Sequence, residues 1–540
     1  MSNSKQKLEL TWIGKNENLK LEPRILIEDP SKSYGDPNSE NMLIHGDNLL
    51  ALKALEQNFS NRIKCIYIDP PYNTGNALEH YDDSLEHSIW LSLMRPRLEI
   101  LQKLLSKDGI IFISIDDDEQ AYLKILCDEI FERKNHCGNF IWEKKKKPSF
   151  LSNMGNITEY ILIYAKDKKF SPPFIYGETT KNKKYPLNNA GNGVRVLSFK
   201  AGSVVFRIPD SVIEPKDMSS GNIKTKLLDR VEIKNGINLN DFRLEGEWRY
   251  SQSKLNEIIE NKEVISISQD PFRPNHVKQG GEPKKMKNLL SISHYNMATY
   301  EDSAEETIKL FGNDPFDYPK PEKLIYTLLS SVTSEGDYVL DSFLGSGTTC
   351  AVAHKMKLKY IGIELGNHAN THCLPRLKKV VDGNDGLVLS ESLSWKGGGG
   401  FKFYNLAPSL LKKDSFGNFI IEQKYNSNML AAAMCKHEGF KYSPDKTIYW
   451  KQGESTESDF IFVTTNFLTP EQLTSIHDQM KEGESLLICS KSFAPQCEHL
   501  FTNITVKKIP QIILGKCEFG VNNYDLNIIK ETEIISEEQK

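Results

Sequence analysis

Apolar residues form short continuous runs and helical spacings that alternate in two separate stretches of the chain, residues 41–167 and 313–405. In the first stretch, Ile63–Ile68 predicts a buried strand, and Ile110–Ile115 predicts a strand suited to burial on both faces. Between them, apolar residues recur at three- and four-residue spacing, which predicts one face of a helix. These residues are Trp90, Met94, Leu98, Leu101 and Leu105. Strands and helices therefore alternate along this stretch.

The whole first stretch can be divided into predicted elements in the same way. The predicted strands are Asn41–Ile44, Ile63–Ile68, Ile110–Ile115, Phe140–Glu143 and Tyr160–Tyr164. The predicted helices are Leu49–Gln57, Ser84–Leu105, which Asp108-Gly109 should end, and one that opens at Glu119. Pro96 should kink or divide the second helix, because proline cannot donate a backbone hydrogen bond. The first elements form a β-α-β unit.

The second stretch repeats the alternation. Pro319-Lys320-Pro321 opens a predicted helix at Glu322–Ser331, since proline suits the first turn of a helix. A strand at Tyr338–Leu340, a helix from Thr348 to Met356 and a strand at Tyr360–Ile363 should follow. Together the two stretches predict an α/β fold with a Rossmann-like sheet.

The rest of the chain differs in pattern. Between about 168 and 312 the predicted strands shorten and the β-α-β alternation is lost, which indicates an inserted domain. The expected segments are an N-terminal arm at 1–40, two halves of one sheet domain at 41–167 and 313–405, the insert at 168–312, and a C-terminal α/β domain at 411–540. Gly397–Gly400 predicts a flexible joint or a tight turn before the last of these.

The C-terminal segment contains a predicted β-α-β unit at residues 459–490. Its helix should start at Pro470, with Thr469 as the N-cap and Gln472 completing a capping box. The other predicted elements of this segment are a helix at Asn428–His437 and strands at Thr447–Lys451, Phe460–Thr464 and Ser485–Ser490. No pattern of catalytic residues stands out here.

Composition limits the classes of function. The 540 residues are 39% hydrophobic and 26% charged, enough for several globular domains. Nine cysteines without a CxxC pair indicate neither a disulfide framework nor a structural zinc site. No apolar run approaches the roughly 18 residues of a membrane span, so we expect a cytoplasmic protein. A net charge of −4 means that any positive surface for nucleic acid must be local.

Lysine groups in and beside the insert are candidates for such a surface. They are Lys144–Lys147; Lys166, Lys168 and Lys169; Lys181, Lys183 and Lys184; and Lys284, Lys285 and Lys287. Phe170 and Tyr185 directly follow two of these groups in sequence, and the insert also contains Trp248 and Tyr250. Lysines interleaved with aromatics are typical of nucleic-acid surfaces, and lysine runs also occur as plain solvated faces.

The most informative short motif is Asp69-Pro70-Pro71-Tyr72, at the carboxyl end of the strand Ile63–Ile68. Open α/β sheets bind ligands at the carboxyl ends of their strands. Two successive prolines hold the backbone extended and leave carbonyl oxygens free to accept hydrogen bonds. Asp69 and a proline carbonyl could each accept one hydrogen of a planar amine, and Tyr72 offers a ring for stacking. A lone D-P-P would only indicate a turn, but Asn73-Thr74-Gly75 makes the run more specific.

A second motif, Phe343-Leu344-Gly345-Ser346-Gly347-Thr348, follows Asp341 at the end of the strand Tyr338–Leu340. A glycine turn between strand and helix lets the backbone approach a ligand, and an acid about twenty residues further, Glu364, can hold ribose hydroxyls. Cys350 stands where a dinucleotide fingerprint has its third glycine. That departure favours a nucleoside cofactor without a pyrophosphate over NAD.

Two further groups of acids stand beside strands. Asp47, at the end of the predicted strand Asn41–Ile44, occupies another ligand-side position, although Gly-Asp is also common in plain turns. Asp116–Asp118 could bind a metal, but a solvated loop that opens the helix at Glu119 is the better interpretation.

The two motifs together resemble those of the amino-methylating DNA methyltransferases. The catalytic motif precedes the cofactor motif and a basic insert separates them, so the order resembles the circularly permuted β class. The runs IYIDPPYNTG, GIIFISIDDDE, YPKPEKLI and DSFLGSGTT are most similar to modification subunits of type III restriction systems. The resemblance covers residues 41–405 and is faint through the insert.

The resemblance implies S-adenosylmethionine as cofactor. It would place Phe343, Gly345, Gly347 and the start of the next helix at Thr348 around the cofactor, with Asp341 below the turn. Glu364 would bind the ribose. Lys320-Pro321 would flank the methionine moiety, and Asp47 would reach the adenosine base.

The resemblance also implies a chemistry for the first motif. The target base would be flipped out of double-stranded DNA, and Asp69 and the Pro70 carbonyl would accept its amino hydrogens. Pro71 would complete the rigid loop, and Tyr72 would stack on the base. Transfer would be a direct displacement without a cysteine nucleophile or a metal. The leading Asp favours N6 of adenine over N4 of cytosine.

Several alternatives stay open at this point. An NAD-binding oxidoreductase would explain the glycine turn but not the Asp-Pro-Pro-Tyr motif. An RNA or protein methyltransferase would share the cofactor half, and a subunit that has lost catalysis would retain only binding. The type III resemblance also implies a homodimer with a helicase-nuclease partner, for which the C-terminal domain is the expected assembly surface.

Overall fold

The computed structural model describes residues 9–16, 20–73, 87–147, 154–178, 183–278, 281 and 283–509, together with 511, 513, 516, 517 and 519. Thr74, Gly75, Ser84, Lys181 and the start of the N-terminal arm, which entered the sequence predictions, lie outside these residues. The chain divides into two compact units: Met1–Phe174 with Lys287–Lys540, and Ile175–Met286. The predicted insert at 168–312 stays a prediction.

The first unit is built on a large mixed sheet. Within the described part of the chain its eleven strands are β1 (Leu26–Glu28), β2 (Tyr34–Gly35), β3 (Met42–His45), β4 (Ile63–Ile68), β5 (Leu105–Ile115), β6 (His136–Glu143), β7 (Thr158–Ala165), β8 (Leu289–Leu290), β9 (Tyr338–Asp341), β10 (Lys359–Glu364) and β11 (Gly400–Leu406). Their order is β1-β11-β3-β10-β9-β4-β5-β7-β6-β8, and β2 pairs with β11. From β11 to β5 all neighbours are parallel, and β7 is antiparallel to β5.

Helices connect these strands. They are α1 (Asn48–Phe59), α2 (His87–Leu104), α3 (Gln120–Ile130), α4 (Ile292–Tyr295), α5 (Tyr300–Phe311), α6 (Glu322–Ser330), α7 (Thr348–Lys355), α8 (Leu374–Val381) and α9 (Val388–Ser392), with a short 3₁₀ turn at Arg133–Asn135 and a π-helical turn at Ala369–Cys373. The central strands are fully buried at most positions, as their apolar runs predicted. The Rossmann-like α/β fold is confirmed.

One detail of the first stretch differs from the prediction. The helix α2 ends at Leu104 rather than at Asp108-Gly109, and both of these residues lie inside β5. An added Cβ at Gly109 would stand 2.8 Å from the Ile63 carbonyl oxygen, so glycine here permits close strand approach instead of ending a helix. Pro96 lies within α2, which continues through it, and the predicted kink stays a prediction.

Strand order explains where a ligand can bind. β9 is flanked by β10 on one side and by β4 on the other. After β9 the chain continues to β10 on one side, and after β4 it continues to β5 on the opposite side. Val339 of β9 pairs with Cys65 of β4, and Leu340 pairs with Ile66. Such a switch point leaves a crevice outside the carboxyl ends of the two strands. Both predicted motifs follow these two strands.

The second unit consists mainly of short strands, as predicted. One sheet has the order Val194–Phe199, Phe242–Glu247, Thr225–Leu227, Lys216–Asp217, and the other has the order Ser211–Ile213, Val231–Lys234, Ile237–Asn238, Val204–Phe206, Val264–Ile267, Asn275–Val277, Lys184–Pro186. Ile175–Glu178 pairs with Pro283–Lys285, and a helix spans Gln252–Glu260. Phe199, Phe206, Phe242 and Phe272 form a buried aromatic core, so this unit has its own hydrophobic centre.

The C-terminal part of the first unit has a separate sheet. Its strands, in spatial order, are Lys441–Tyr442, Gly453–Glu454, Asp459–Leu468, Ser485–Phe493 and Ile504–Lys508. Leu411–Lys413 and Phe419–Ile421 form a hairpin, the helices are Ser427–Glu438 and Pro470–His477, and a 3₁₀ turn spans Pro495–His499. The predicted β-α-β unit is confirmed, because Asp459–Leu468 and Ser485–Phe493 are parallel. The capping box of Thr469 and Gln472 is also confirmed.

The predicted strand at Thr447–Lys451 is wrong. Oδ1 of Asp445 accepts hydrogen bonds from the backbone N–H groups of Thr447 and Ile448 and from the Thr447 hydroxyl. This local side-chain bonding makes a turn where the sequence alternation indicated a strand. Gly397, Gly398 and Gly399 directly precede β11 and all have positive φ, and the predicted joint or turn here stays a prediction. Among the described residues no helix is both long and apolar enough to cross a membrane.

Candidate active site

The two acids that follow β4 and β9 stand at neighbouring positions of the sheet edge. Asp341 is the last residue of β9 and is buried, and Asp69 directly follows β4 and is half-buried. Since the two strands are paired and parallel, their carboxyl ends open on the same crevice. The structure therefore brings together the two motifs that the sequence placed about 270 positions apart.

The Asp-Pro-Pro-Tyr loop is held by hydrogen bonds at both ends. The Tyr72 hydroxyl donates to Oδ1 of Asp69 at 2.8 Å and also reaches Oε2 of Glu159 at 3.2 Å. Nε1 of Trp90 in α2 donates to the Pro71 carbonyl at 2.8 Å, so this carbonyl is already engaged. Pro70 is buried. Burial and the nearby charge of Asp69 raise the pKa of Tyr72 well above its usual value, so the hydroxyl remains a donor.

Lys320 lies directly against the loop. Its ammonium nitrogen is 2.7 Å from Oδ2 of Asp69 and 3.0 Å from the Tyr300 hydroxyl oxygen. The nitrogen also stands 5.0 Å from the ring centroid of Tyr72, within cation–π range. The lysine side chain is only 6% exposed. Sequence reasoning assigned Lys320 to the cofactor, whereas its contacts in the structure are with Asp69; Pro321 forms the N-cap of α6.

A second buried carboxylate completes this cluster, and sequence reasoning missed it. Glu159 of β7 accepts hydrogen bonds from the Tyr300 hydroxyl at 3.0 Å and from Nζ of Lys144 at 3.2 Å. Its side chain is 3% exposed. The signal in the sequence is an acid inside the otherwise apolar strand TEYILIYA, which a buried role explains better than a solvated one.

The glycine turn between β9 and α7 is shaped by Asp341. Its Oδ1 accepts the Phe343 N–H at 3.0 Å, and its Oδ2 accepts the Thr349 hydroxyl at 2.6 Å. Burial raises the pKa of Asp341 to about 7, although these two hydrogen bonds act in the opposite direction. Phe343 and Thr348 are buried at either end of the turn.

Gly345 and Gly347 have positive φ angles of 56° and 84°. At Gly347 a Cβ would stand 3.2 Å from the Cα of Cys373, so a side chain would press on the backbone of the π-helical turn. Glycine is needed at Gly347 for both conformation and space.

Glu364, at the end of β10, contacts the backbone of the glycine turn. Its Oε2 accepts the Gly345 N–H at 2.7 Å, its Oε1 accepts the Gly366 N–H at 2.9 Å, and Nε2 of His368 lies 2.8 Å from Oε1. Phe316 stands beside this site, with its ring centroid 5.4 Å from that of His368. The acid thus orders the backbone of the turn.

Asp47 is placed next to the same crevice by β3. Its Oδ1 accepts the Leu50 N–H at 2.9 Å and caps α1, and its Oδ2 lies 3.7 Å from Arg97. In the described part of the chain, Oδ2 of Asp47 and the Ser342 hydroxyl are buried without a hydrogen-bond partner. Asn48 donates to the Ser342 carbonyl at 2.7 Å, which ties the start of α1 to the glycine turn.

Asp116–Asp118 lies at the carboxyl end of β5, where the chain turns into α3. Glu119 occupies the N-cap position of α3, so the predicted helix opening is confirmed. Burial raises the pKa of Asp116 to about 6. Glu119 itself accepts hydrogen bonds from Nδ2 of Asn73 and contacts Nδ1 of His87, both at 2.6 Å.

The sequence model of a family described as DNA methylase matches residues 63–372, which is 310 of the 540 residues. The chain belongs to this DNA methylase family. The matched region begins with β4 and ends in the π-helical turn, so it includes both motifs of the site. The resemblance stated from the sequence is confirmed.

Two curated relatives are similar to this DNA methylase over about two thirds of its length. It is 34% identical over 425 residues to the probable type III restriction-modification enzyme HindVI Mod subunit of Haemophilus influenzae, with 70% of this chain and 55% of the relative covered. It is 31% identical over 415 residues to the EcoPI Mod subunit of Escherichia phage P1, with 65% and 62% covered. The chain therefore spans little more than half the length of these relatives.

Solved structures include a similar protein, PvuII DNA methyltransferase (cytosine-N4-specific). The identity is 15%, and the alignment covers 70% of this chain and 94% of that one, with a TM-score of 0.34.

Proposed function

We propose that this protein is a site-specific DNA methyltransferase that transfers a methyl group from S-adenosylmethionine to the exocyclic N6 amino group of adenine in double-stranded DNA. The observation that carries the proposal is the pairing of β4 with β9. This pairing puts the amine-accepting Asp69 and the glycine turn after Asp341 on one crevice. Membership of the DNA methylase family supports it.

The residues around the glycine turn fit S-adenosylmethionine. Gly345 and Gly347 present backbone without side chains, and Asp47 and Ser342 offer buried polar atoms without a hydrogen-bond partner in the described structure. The sulfonium cofactor, when bound, supplies an electrophilic methyl group. Glu364 would hold the ribose while it orders the turn. Phe343 and Thr348 would complete the wall of this pocket, and the role of Lys320-Pro321 beside the methionine moiety stays part of the proposal.

The Asp-Pro-Pro-Tyr loop would bind the flipped base. The carboxylate of Asp69 and the carbonyl of Pro70 would accept the two amino hydrogens and draw the nitrogen lone pair out of the ring. Tyr72 would stack on the base, and Pro71, anchored by Trp90, would keep the loop rigid. Orientation and preorganised acceptors would then supply the acceleration.

The remaining parts of the chain would serve recognition and assembly. We propose the segment at 168–312 as the target recognition domain, with the sheet halves at 41–167 and 313–405 as the methylating core. We propose a homodimer, assembled through the C-terminal domain at 411–540, that works with a helicase-nuclease restriction subunit. The naming of both relatives as type III Mod subunits supports this arrangement.

The experiment is modification-sensitive sequencing of DNA from cells that express the protein. We expect N6-methyladenine in one short sequence context, and none from cells that express Asp69→Ala. Detection of N4-methylcytosine instead would support the methyltransferase activity but make cytosine the target base. Full modification by Asp69→Ala, with S-adenosylmethionine binding measured by calorimetry in parallel, would contradict the proposed site.

A further inference from the structure

Lys320 lies between two carboxylates, and only one of them belongs to the Asp-Pro-Pro-Tyr loop. Its nitrogen is 2.7 Å from Oδ2 of Asp69 and 3.8 Å from Oε2 of Glu159. The side chains of Lys320 and Glu159 are 6% and 3% exposed, and that of Asp69 is 24% exposed. The ammonium therefore has two counter-ions within ion-pair distance, one facing the crevice and one buried behind it.

Two phenols connect the same groups. The Tyr72 hydroxyl is within hydrogen-bond distance of both Asp69 and Glu159, and the Tyr300 hydroxyl contacts both Lys320 and Glu159. A phenol has one proton and can donate fully to only one carboxylate at a time. The burial of Tyr72 and Tyr300 raises the pKa of each, so both keep their protons. The hydrogen bond of Tyr72 can thus shift from one carboxylate to the other without any change of net charge, while Tyr300 donates to Glu159 and accepts from Lys320.

Both carboxylate oxygens of Asp69 already have hydrogen-bond partners, so a target amine must compete with one of them. In the structure, Oδ1 is occupied by Tyr72 and Oδ2 by Lys320. A target amine that approaches Asp69 is a neutral donor and must compete with an ammonium, which is the stronger partner. If Lys320 simply left Asp69, a buried charge would lose its counter-ion, which costs several kcal/mol.

We propose that Glu159 is a positioning residue that serves as the alternative counter-ion of Lys320 when the target amine occupies Asp69. The lysine moves its main hydrogen bond from Oδ2 of Asp69 to the carboxylate of Glu159, and the freed oxygen accepts the amino hydrogen. The inference rests on the proposed methyltransferase function and adds a residue that acts on the amine through Lys320.

The test is a double-mutant cycle with Glu159→Gln, Lys320→Met and the combined variant, assayed on DNA that contains the mapped recognition sequence. We expect Glu159→Gln alone to lower kcat by roughly tenfold or more, with KM for DNA and the Kd for S-adenosylmethionine unchanged. In the Lys320→Met background, the same change should alter kcat less than about twofold. Glu159→Asp should recover part of the loss because it restores a carboxylate.

Glu143→Gln is the matched control. Glu143 lies on the neighbouring strand β6, opposite Thr158, and its Oε2 accepts the Ile292 N–H. The glutamine keeps an acceptor oxygen, so we expect wild-type kinetics. If the fold-reductions in kcat of Glu159→Gln and Lys320→Met simply multiply in the combined variant, the two residues act independently and the inference is overturned. If the wild-type protein methylates no DNA at all, that result contradicts the proposed function itself and is distinguishable from failure of this inference.

A binding measurement covers the case in which Lys320→Met is inactive. Duplexes with purine in place of the target adenine lack the amino group, so fluorescence anisotropy can compare the two duplexes without turnover. The wild-type protein should bind the adenine duplex more tightly. Glu159→Gln should lose most of this preference, because Lys320 then stays on Asp69. A preference equal to that of the wild-type protein would overturn the inference.

Discussion

The ammonium nitrogen of Lys320 lies 2.7 Å from Oδ2 of Asp69, although 251 positions separate the two residues in the sequence. Asp69 belongs to the stretch before the insert, and Lys320 precedes α6 in the stretch after it. The charge of Asp69 is therefore balanced by a residue from the stretch that carries the glycine turn. Neither half contains the complete pocket.

Glu364→Gln should weaken cofactor binding. The carboxylate accepts the N–H groups of Gly345 and Gly366 with different oxygens, and a carboxamide has only one acceptor oxygen. One N–H group would lose its partner, so we expect the Kd for S-adenosylmethionine, measured by calorimetry, to rise about tenfold. Glu391→Gln on the exposed side of α9 serves as control. An unchanged Kd in both variants would contradict the role of Glu364 in the turn.

Gly347→Ala should destabilise the protein more than Gly336→Ala. Both glycines have positive φ, of 84° and 88°, so both substitutions cost about 1 kcal/mol in backbone strain. At Gly347 the new Cβ also stands 3.2 Å from the Cα of Cys373, whereas at Gly336 it meets no atom within 4 Å. We expect a total loss of about 2–3 kcal/mol for Gly347→Ala from the midpoint of urea unfolding. Equal losses would show that the contact with Cys373 does not matter.

Asp341→Asn should change how stability depends on pH. The buried carboxyl has its pKa raised to about 7 from an ordinary value of 3.8, so between these values the folded protein binds more protons than the unfolded chain. The free energy of unfolding therefore falls as pH rises through this window, by up to about 1.4 kcal/mol per pH unit from this one group. The asparagine variant lacks this contribution.

The comparison requires urea unfolding of both proteins at several pH values. We expect the stability of Asp341→Asn, relative to the wild-type protein, to increase steadily between about pH 4 and pH 7 and to level off above. Other titrating groups are common to both proteins and cancel in the difference. A difference that stays constant with pH would mean that Asp341 titrates normally in the folded state.

Lys355→Met should be among the most destabilising substitutions outside the pocket. The side chain is 0% exposed, and its nitrogen pairs with Glu322 at 2.6 Å and with Asp385 at 2.5 Å. Removal of the ammonium leaves the buried Asp385 without this counter-ion and Glu322 with Arg376, so we expect a loss of about 3–5 kcal/mol in urea unfolding. Lys359→Met, which breaks the surface pair with Glu40, should cost less than about 1 kcal/mol. Similar losses in the two variants would contradict this account.

Much of the sheet could be predicted because its strands are fully buried and therefore continuously apolar. β4, β9 and β10 followed from this pattern, and the two motifs stood out at the ends of β4 and β9. The predicted helix-ending role of Asp108-Gly109 was wrong, because this pair has the composition of a turn while pairing with β4 and β7 determines the conformation of the segment. Local composition cannot report such long-range pairing.

The cluster around Asp69 could only partly be predicted. Asp69 and Tyr72 stand in a recognisable motif, but Glu159 is a single acid in a strand. A sequence does not show which neighbouring elements cover each face of that strand. The sequence singled out Lys320 because it stands in the Pro319-Lys320-Pro321 run, and its contact with Asp69 was not predicted. Such a contact depends on the pairing of β4 with β9, which is set by the whole sheet.

The pairing of β4 with β9 also sets the order of events during protein synthesis. About 270 residues are made between the two strands, which at 5–20 residues per second takes roughly 15–55 seconds. During this interval the hydrogen-bonding edge of β4 that β9 will cover has no native partner, and exposed apolar edges of this kind promote aggregation. A ribosome-bound chaperone is thus a stronger requirement for this chain than for a relative whose two strands are adjacent in sequence.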